Sequence, residues 1–289
     1  MKPARGCVSP LRWMVVALLL WAGAGWPMPA AEAADFPNRI VSLAPNLTEI
    51  LYDLGVEARI AAVTDYCDYP PGAAAKPKIG GFANPSLEAI VLQRPDLVVM
   101  TEDGNPRLFE NRLKSLGIRT YIFRARRIGD LPGEIRAMGR VLGVSALADG
   151  RADRFERHVR RIAEGRKGSS RRGIRSAVFI VQPAPLIAAG RGTTIDDALS
   201  LLGIHNVAAA GKGGYLKFSL EEIIRLRPDA LFFGRGRGME ERTKPLIERL
   251  STLDAVRSGR VFFIGESIYR LGSRIVSGLE EMAACLDAR

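Results

Sequence analysis

The chain of 289 residues is 47% hydrophobic and 25% charged, the balance of an ordinary globular protein with room for more than one compact unit. Its formal charge of +11 would suit nucleic acid or acidic lipid as a partner. The arginines are dispersed, however, and the first residues carry an export signal. A nucleic-acid partner is therefore excluded, and the charge reads as a solvated basic surface that keeps the protein near an anionic membrane.

Lys2, Arg5 and Arg12 precede an apolar run over residues 13–26, and small residues around Ala31 and Ala33 follow. That is the order of a secretory signal peptide. The run is too short and too broken by Gly and Pro for a permanent membrane span, and no second stretch of spanning length follows. A signal peptide over residues 1–33, cleaved near Ala33, is expected, with a soluble mature protein in the periplasm; an uncleaved anchor is the alternative. Cys7 lies before the apolar run, where a lipoprotein cysteine would not stand. Cys67 and Cys285 remain after processing, far apart in the sequence, and a bond between them would need alpha carbons within about 7 Å. Two buried thiols are the expectation.

Further along, Arg39-Ile-Val-Ser-Leu43 reads as a strand, followed by a helix that begins near Asn46 or Thr48 and stops at Gly55. Strands are expected at residues 60–63 and 120–123. Ser145 is placed to cap a helix over residues 146–164, with Leu147, Phe155, Val159 and Ile162 on its apolar side. At 1.5 Å per residue it would be about 28 Å long, enough for a stiff strut between two lobes. The Gly/Arg/Ser-rich stretch 165–173 reads as the loop that follows. A strand at 177–181, a helix from near Thr194 to Gly203 and a strand at 260–264 come next.

Across these halves runs a repeat. Ser86-Leu-Glu-Ala-Ile-Val-Leu-Gln-Arg-Pro-Asp-Leu-Val-Val-Met100 overlies Ser219-Leu-Glu-Glu-Ile-Ile-Arg-Leu-Arg-Pro-Asp-Ala-Leu-Phe-Phe233 with the Ser-Leu-Glu and Arg-Pro-Asp triplets identical. Each copy has a capping serine, a short apolar-periodic helix, a proline that stops it, an aspartate and a strand. The pattern predicts an α/β protein: two lobes of mostly parallel sheet with flanking helices, joined by one long linking helix. The expected boundaries are 34–143 for the N-terminal lobe, 144–168 for the linking helix and 169–289 for the C-terminal lobe.

Catalytic signals are weak. His158 and His205 stand at no metal-ligand spacing from each other or from a cysteine, which disfavours a zinc or manganese carrier. A Gly-x-Ser-x-Gly elbow is missing, and Gly190-Arg-Gly192 and Gly211-Lys-Gly-Gly214 lack the spacing of a phosphate loop, so these glycines serve tight turns or close backbone approach. No catalytic residue, resident metal or cofactor is expected. An exported hydrolase using paired carboxylates is the alternative of another class.

Arg39-Ile-Val-Ser-Leu-Ala-Pro-Asn-Leu-Thr-Glu49, Thr64-Asp-Tyr-Cys-Asp-Tyr-Pro-Pro71, Ile79-Gly-Gly and the Ser86 to Asp96 segment together resemble the periplasmic binding proteins for cobalamin, iron-siderophores and haem, most closely the cobalamin branch. The repeat and the linking helix lead to the expectation of a monomer with rigid lobes, and the resemblance implies small hinge motion, a ligand cleft between the lobes, and a dimeric ABC permease with its ATPase as partners, bringing the protein into peripheral contact with the inner membrane. It assigns ligand binding to Tyr66, Phe82, Tyr215, Glu266 and Arg270, the aromatic faces suiting a flat macrocycle. In the cobalamin binder two of these positions are tryptophan, here Phe82 and Tyr215, and a further tryptophan aligns with Glu102. A ferric siderophore or haem is the alternative ligand, with Arg270, Arg191 or Tyr66 meeting carboxylates or iron. Glu88 and Glu221 hold the same place in the two repeat copies. As first-turn carboxylates they complement the helix dipole, and Glu222 is the residue spaced to complete a capping box with Ser219. The resemblance gives Glu88 and Glu221 a second role, one glutamate per lobe meeting arginines on the two permease subunits.

Overall fold

The computed structural model describes residues 36–105, 107–166, 173–236 and 238–287. The expected signal peptide, Cys7 and most of the 165–173 loop lie outside them. Among the described residues no helix is long and apolar enough to cross a membrane.

The first half is built on strands β1 (Ile40–Ser42), β2 (Ile60–Val63), β3 (Leu97–Thr101) and β4 (Thr120–Phe123), in the order β2-β1-β3-β4 and parallel throughout. Every residue of β1 and β3 is buried, as expected of parallel strands covered on both faces. The covering helices are α1 (Pro45–Asp53), α2 (Pro71–Ala74), α3 (Leu87–Leu92), α4 (Arg107–Ser115) and α5 (Leu131–Leu142). Helix α1 starts one residue earlier than expected because Pro45, with its preset φ and no N–H to satisfy, suits the first turn.

Helix α6 (Ser145–Arg166) follows, about 33 Å long at 1.5 Å per residue. It begins at Ser145 itself, where a cap was expected, and Leu147 is 42% exposed rather than packed with Phe155. Its close contact with α5 depends on Gly139, where an added Cβ would lie 2.1 Å from that of Ala148. Arg136 of α5 gathers the acidic stripe of α6, at 2.5 Å from Asp153, 2.8 Å from Glu156 and 3.9 Å from Asp149.

In the second half β5 (Ser176–Pro183), β6 (Leu186–Ala189), β7 (His205–Asn206), β8 (Tyr215–Lys217), β9 (Ala230–Gly234) and β10 (Val261–Ile264) form a sheet ordered β10-β9-β5-β6-β8, with β7 beside the start of β5. Pairs β10/β9, β9/β5 and β5/β7 are parallel, while β6 and β8 run antiparallel. The expectation of mostly parallel sheets therefore holds, the first sheet being wholly parallel and the second mixed, with three of its five strand pairs parallel. Pro183, which argues against strand in a sequence, is the last residue of β5, and Pro185 lies in the two-residue turn of the unforeseen hairpin. Helices α7 (Thr194–Leu201), α8 (Leu220–Leu226), α9 (Met239–Arg249), α10 (Asp254–Arg257) and α11 (Ile275–Asp287) complete the chain.

The repeat is a structural one. In both copies the serine accepts a backbone N–H, from Ala89 in α3 and from Glu222 in α8. Arg94 and Arg227, each before a proline that disfavours another right-handed turn, take left-handed φ values of 47° and 45°. The aspartates then staple the next strand of their own sheet: Asp96 accepts from the backbone N–H groups of Asn38 and Arg39, Asp229 from those of Arg175 and Ser176.

One hydrophobic core contains residues of both halves, from Leu47 and Ile50 on α1 through Phe155 on α6 to Phe179, Phe232 and Leu279, and a separate apolar cluster lies within each half. Cys67 is buried against Thr48 and Thr64, Cys285 lies on α11, and no disulfide joins them.

Candidate ligand cleft

Loops that follow β2, β3 and β4 in the first half face segments that follow β6 and β10 and open β8 in the second. They enclose a cleft of about 750 Å³, within the range of small-molecule sites. The first half contributes Tyr66 after β2, Phe82, Thr101 and Asp103 at the end of β3, and Arg126 after β4; the second contributes Thr193, Tyr215, Tyr269 and Arg270.

Four of the five residues assigned to ligand binding, Tyr66, Phe82, Tyr215 and Arg270, thus line one cavity. The fifth, Glu266, stands beside it, 3.8 Å from Arg270. Tyr66 is 63% exposed and Tyr215 53% exposed, so neither ring is filling a core. Phe82 sits where it does because residue 104 is glycine, since a Cβ there would fall 1.8 Å from the ring. Buried Asn105 holds the same loop, accepting from the Thr101 N–H at 3.0 Å and donating to the Phe82 carbonyl at 2.9 Å.

Tyr215 is delivered by the glycine stretch that resembled no phosphate loop. Gly213 and Gly214 take positive φ, and Gly190 donates to the Gly214 carbonyl at 2.8 Å, with no room for a Cβ at Gly190. Partial burial, then the negative charge of Asp103 in the opposite half, pushes the Tyr215 phenol above its ordinary pKa. Burial, then Tyr215 and Glu266, does the same to Tyr269, whose ring meets Phe179 edge-on at 5.6 Å. Both phenols stay protonated at neutral pH as hydrogen-bond donors.

Arg270 Nη1 lies 3.4 Å from both Glu49 and Asp68. Arg126 is paired with Glu102 at 2.8 Å. Arg191 is turned away, donating to the Ala209 carbonyl at 3.1 Å. Sequence reasoning missed Thr101, Asp103, Arg126 and Tyr269. Thr101 is the most telling of them, because its Oγ1 is buried with no hydrogen-bond partner. The only available signal was position, each standing just past the end of an expected strand.

Glu88 and Glu221 are exposed in the first turns of α3 and α8. Glu88 accepts from the Ser86 hydroxyl at 3.1 Å, and backbone and Ser86 hydrogen bonds hold its carboxyl below the usual range. In the other copy the capping box is made by Glu222, whose carboxylate accepts from the Ser219 N–H at 2.7 Å. Glu221 makes no hydrogen bond or ion pair among the described residues.

The chain belongs to the periplasmic binding protein family, whose pattern matches residues 40–268. A vitamin B12-binding protein of Pectobacterium carotovorum is 28% identical over 222 residues, spanning 76% of this chain and 79% of that protein. An ABC transporter substrate-binding lipoprotein of Bacillus subtilis is 28% identical over 255 residues, spanning 86% of this chain and 79% of that protein. Among solved structures, a periplasmic heme-binding protein from Pseudomonas aeruginosa shares the fold with a TM-score of 0.77 at 24% identity, covering 87% of this chain and 93% of that one.

Proposed function

We propose that this chain is an exported substrate-binding protein that captures a cobalamin-like corrinoid between its lobes and delivers it to an ABC importer, without catalysing a reaction. The observation that carries this reading is the pair of opposed aromatic walls, Tyr66 and Phe82 from one half and Tyr215 from the other, around a cleft of about 750 Å³. Flat apolar faces stack on a macrocycle, while Asp103, Thr101 and Arg270 supply the few polar contacts that orient it. The vitamin B12-binding relative supports the corrinoid. Glu88 and Glu221, one on each half, would dock the protein on the two subunits of a permease, with the ATPase beyond them.

Haem or a ferric siderophore is a second reading with support of its own. The tyrosines Tyr66 and Tyr215 border the cleft with Arg126 and Arg270, which suits a cargo carrying iron and acidic groups, and the heme-binding neighbour has this fold.

The test is a titration of the chain from residue 34 with cyanocobalamin, hemin and a ferric hydroxamate siderophore, followed by absorbance and calorimetry. Micromolar or tighter binding to cyanocobalamin supports the first reading, and binding to hemin or the siderophore alone selects the second. No binding to any of the three contradicts both.

A further inference from the structure

The first motif of the family resemblance ends in Glu49, a residue that neither the cleft lining nor the docking surface uses. It stands on α1 in the first half, only 4% exposed, where an uncompensated carboxylate would be costly. Its compensation comes from the other half. Arg274 donates through Nε to Oε2 at 3.0 Å and through Nη2 to Oε1 at 2.6 Å, a two-point pair. The same guanidinium lies 3.8 Å over the ring of Tyr69, so it is held between a carboxylate and an aromatic face of the first half. Arg270 then adds a longer single contact to Glu49 Oε1 at 3.4 Å. Two further bonds cross the same seam, from Asn46 Nδ2 to the Leu271 carbonyl at 3.0 Å and from the Ser273 hydroxyl to Asp53 at 3.3 Å.

The two arginines are held differently. Arg274 is fixed at two points, whereas Arg270 is shared among Glu49, Asp68 and Glu266 at 3.4, 3.4 and 3.8 Å, with no two-point partner among the described residues. Among the described residues, Glu49 is the carboxylate that hydrogen-bonds both.

We propose that Glu49 is a positioning residue with two linked effects: through Arg274 it clamps the two lobes in one register, and through Arg270 it keeps a cleft-wall cation extended toward the ligand. The second effect rests on the cleft being the ligand site, and the first does not.

The clamp is tested on ligand-free protein. Spin labels on Leu116→Cys in the first half and Arg249→Cys in the second, in a Cys285→Ser background, report the interlobe distance distribution by pulsed electron resonance. Glu49→Gln should broaden that distribution roughly twofold, and Arg274→Lys, which keeps the charge but loses the planar fork, should broaden it less. The lysine variant carries the test if Glu49→Gln does not fold. An unchanged width in the variants overturns the clamp.

Positioning is tested with whichever of cyanocobalamin, hemin and the ferric hydroxamate siderophore the wild type binds. Glu49→Gln should weaken binding about tenfold, yet add little to Arg270→Ala in the double variant, because both act through one guanidinium. Additive effects overturn positioning. If the wild type binds none of the three, the proposed function fails together with the positioning role, while the distance measurement still decides the clamp.

Discussion

Asp229 shows how one side chain of the repeat does structural work. Burial disfavours its charged form, but hydrogen bonds from the backbone of Arg175 and from the hydroxyl and backbone of Ser176 outweigh it, and the carboxyl is held below its usual range. A depressed carboxylate contributes stability that is present above the ordinary carboxylate pKa and is lost as pH falls through the folded value. Asp229→Asn should therefore lower stability at pH 7 by about 1–2 kcal/mol, the cost of weakening charge-assisted hydrogen bonds. It should also lose less of its thermal midpoint than the wild type between pH 6 and pH 3. A parallel acid dependence of the two proteins would show that the staple does not titrate. The aspartate was legible in the sequence as an identical position of the repeat, but its partners were not, since they stand 53 and 54 residues upstream, across the sheet. The cleft aromatics were legible only by resemblance. Tyr66→Ala, Phe82→Ala and Tyr215→Ala should each weaken ligand binding by about 1 kcal/mol or more with the fold intact, as titration and circular dichroism would show. Unchanged affinity in all three would move the site elsewhere.

At the scale of elements, periodicity and turn residues located what local chemistry controls. Strands β2 and β4 fall on the expected residues 60–63 and 120–123, each bounded by turn-forming sequence. The β5–β6 hairpin escaped because its ladder is set by pairing across the sheet, which carries β5 through Pro183 up to the turn at Pro185. The α5–α6 crossing was likewise invisible, since a glycine inside a helix gives no sign of the neighbour it admits. Gly139→Leu should cost about 2–3 kcal/mol in chemical denaturation by forcing the helices apart at Ala148, whereas a cost near zero would mean the pair can slide. Helices α3 and α8 carry the proposed docking surface, and charge there steers encounter and register more than it adds affinity. Glu88→Arg with Glu221→Arg should leave ligand affinity unchanged and abolish uptake in cells. Normal uptake would return both glutamates to the helix dipole alone.

The whole molecule is held across its seam on two sides. Asp197 of α7 accepts from the Ile128 N–H at 2.7 Å and pairs with Arg127 at 3.2 Å, while Glu49 binds the arginines that precede α11. With α6, α11 and a common core also joining the halves, rigid-body closure would have to break buried packing, so a monomer with small hinge motion is expected. Small-angle scattering with and without ligand should show little change in radius, and a large contraction would favour a flexible hinge. The most direct measurement is a crystal structure of the chain with the ligand that the titration selects. The predicted result is a flat ligand between the two halves, its plane about 3.5–4 Å from the rings of Tyr66 and Tyr215 and its edge near Arg270. A ligand seated outside that cleft, for example in the smaller recess beside His158 and Arg154, would contradict the account.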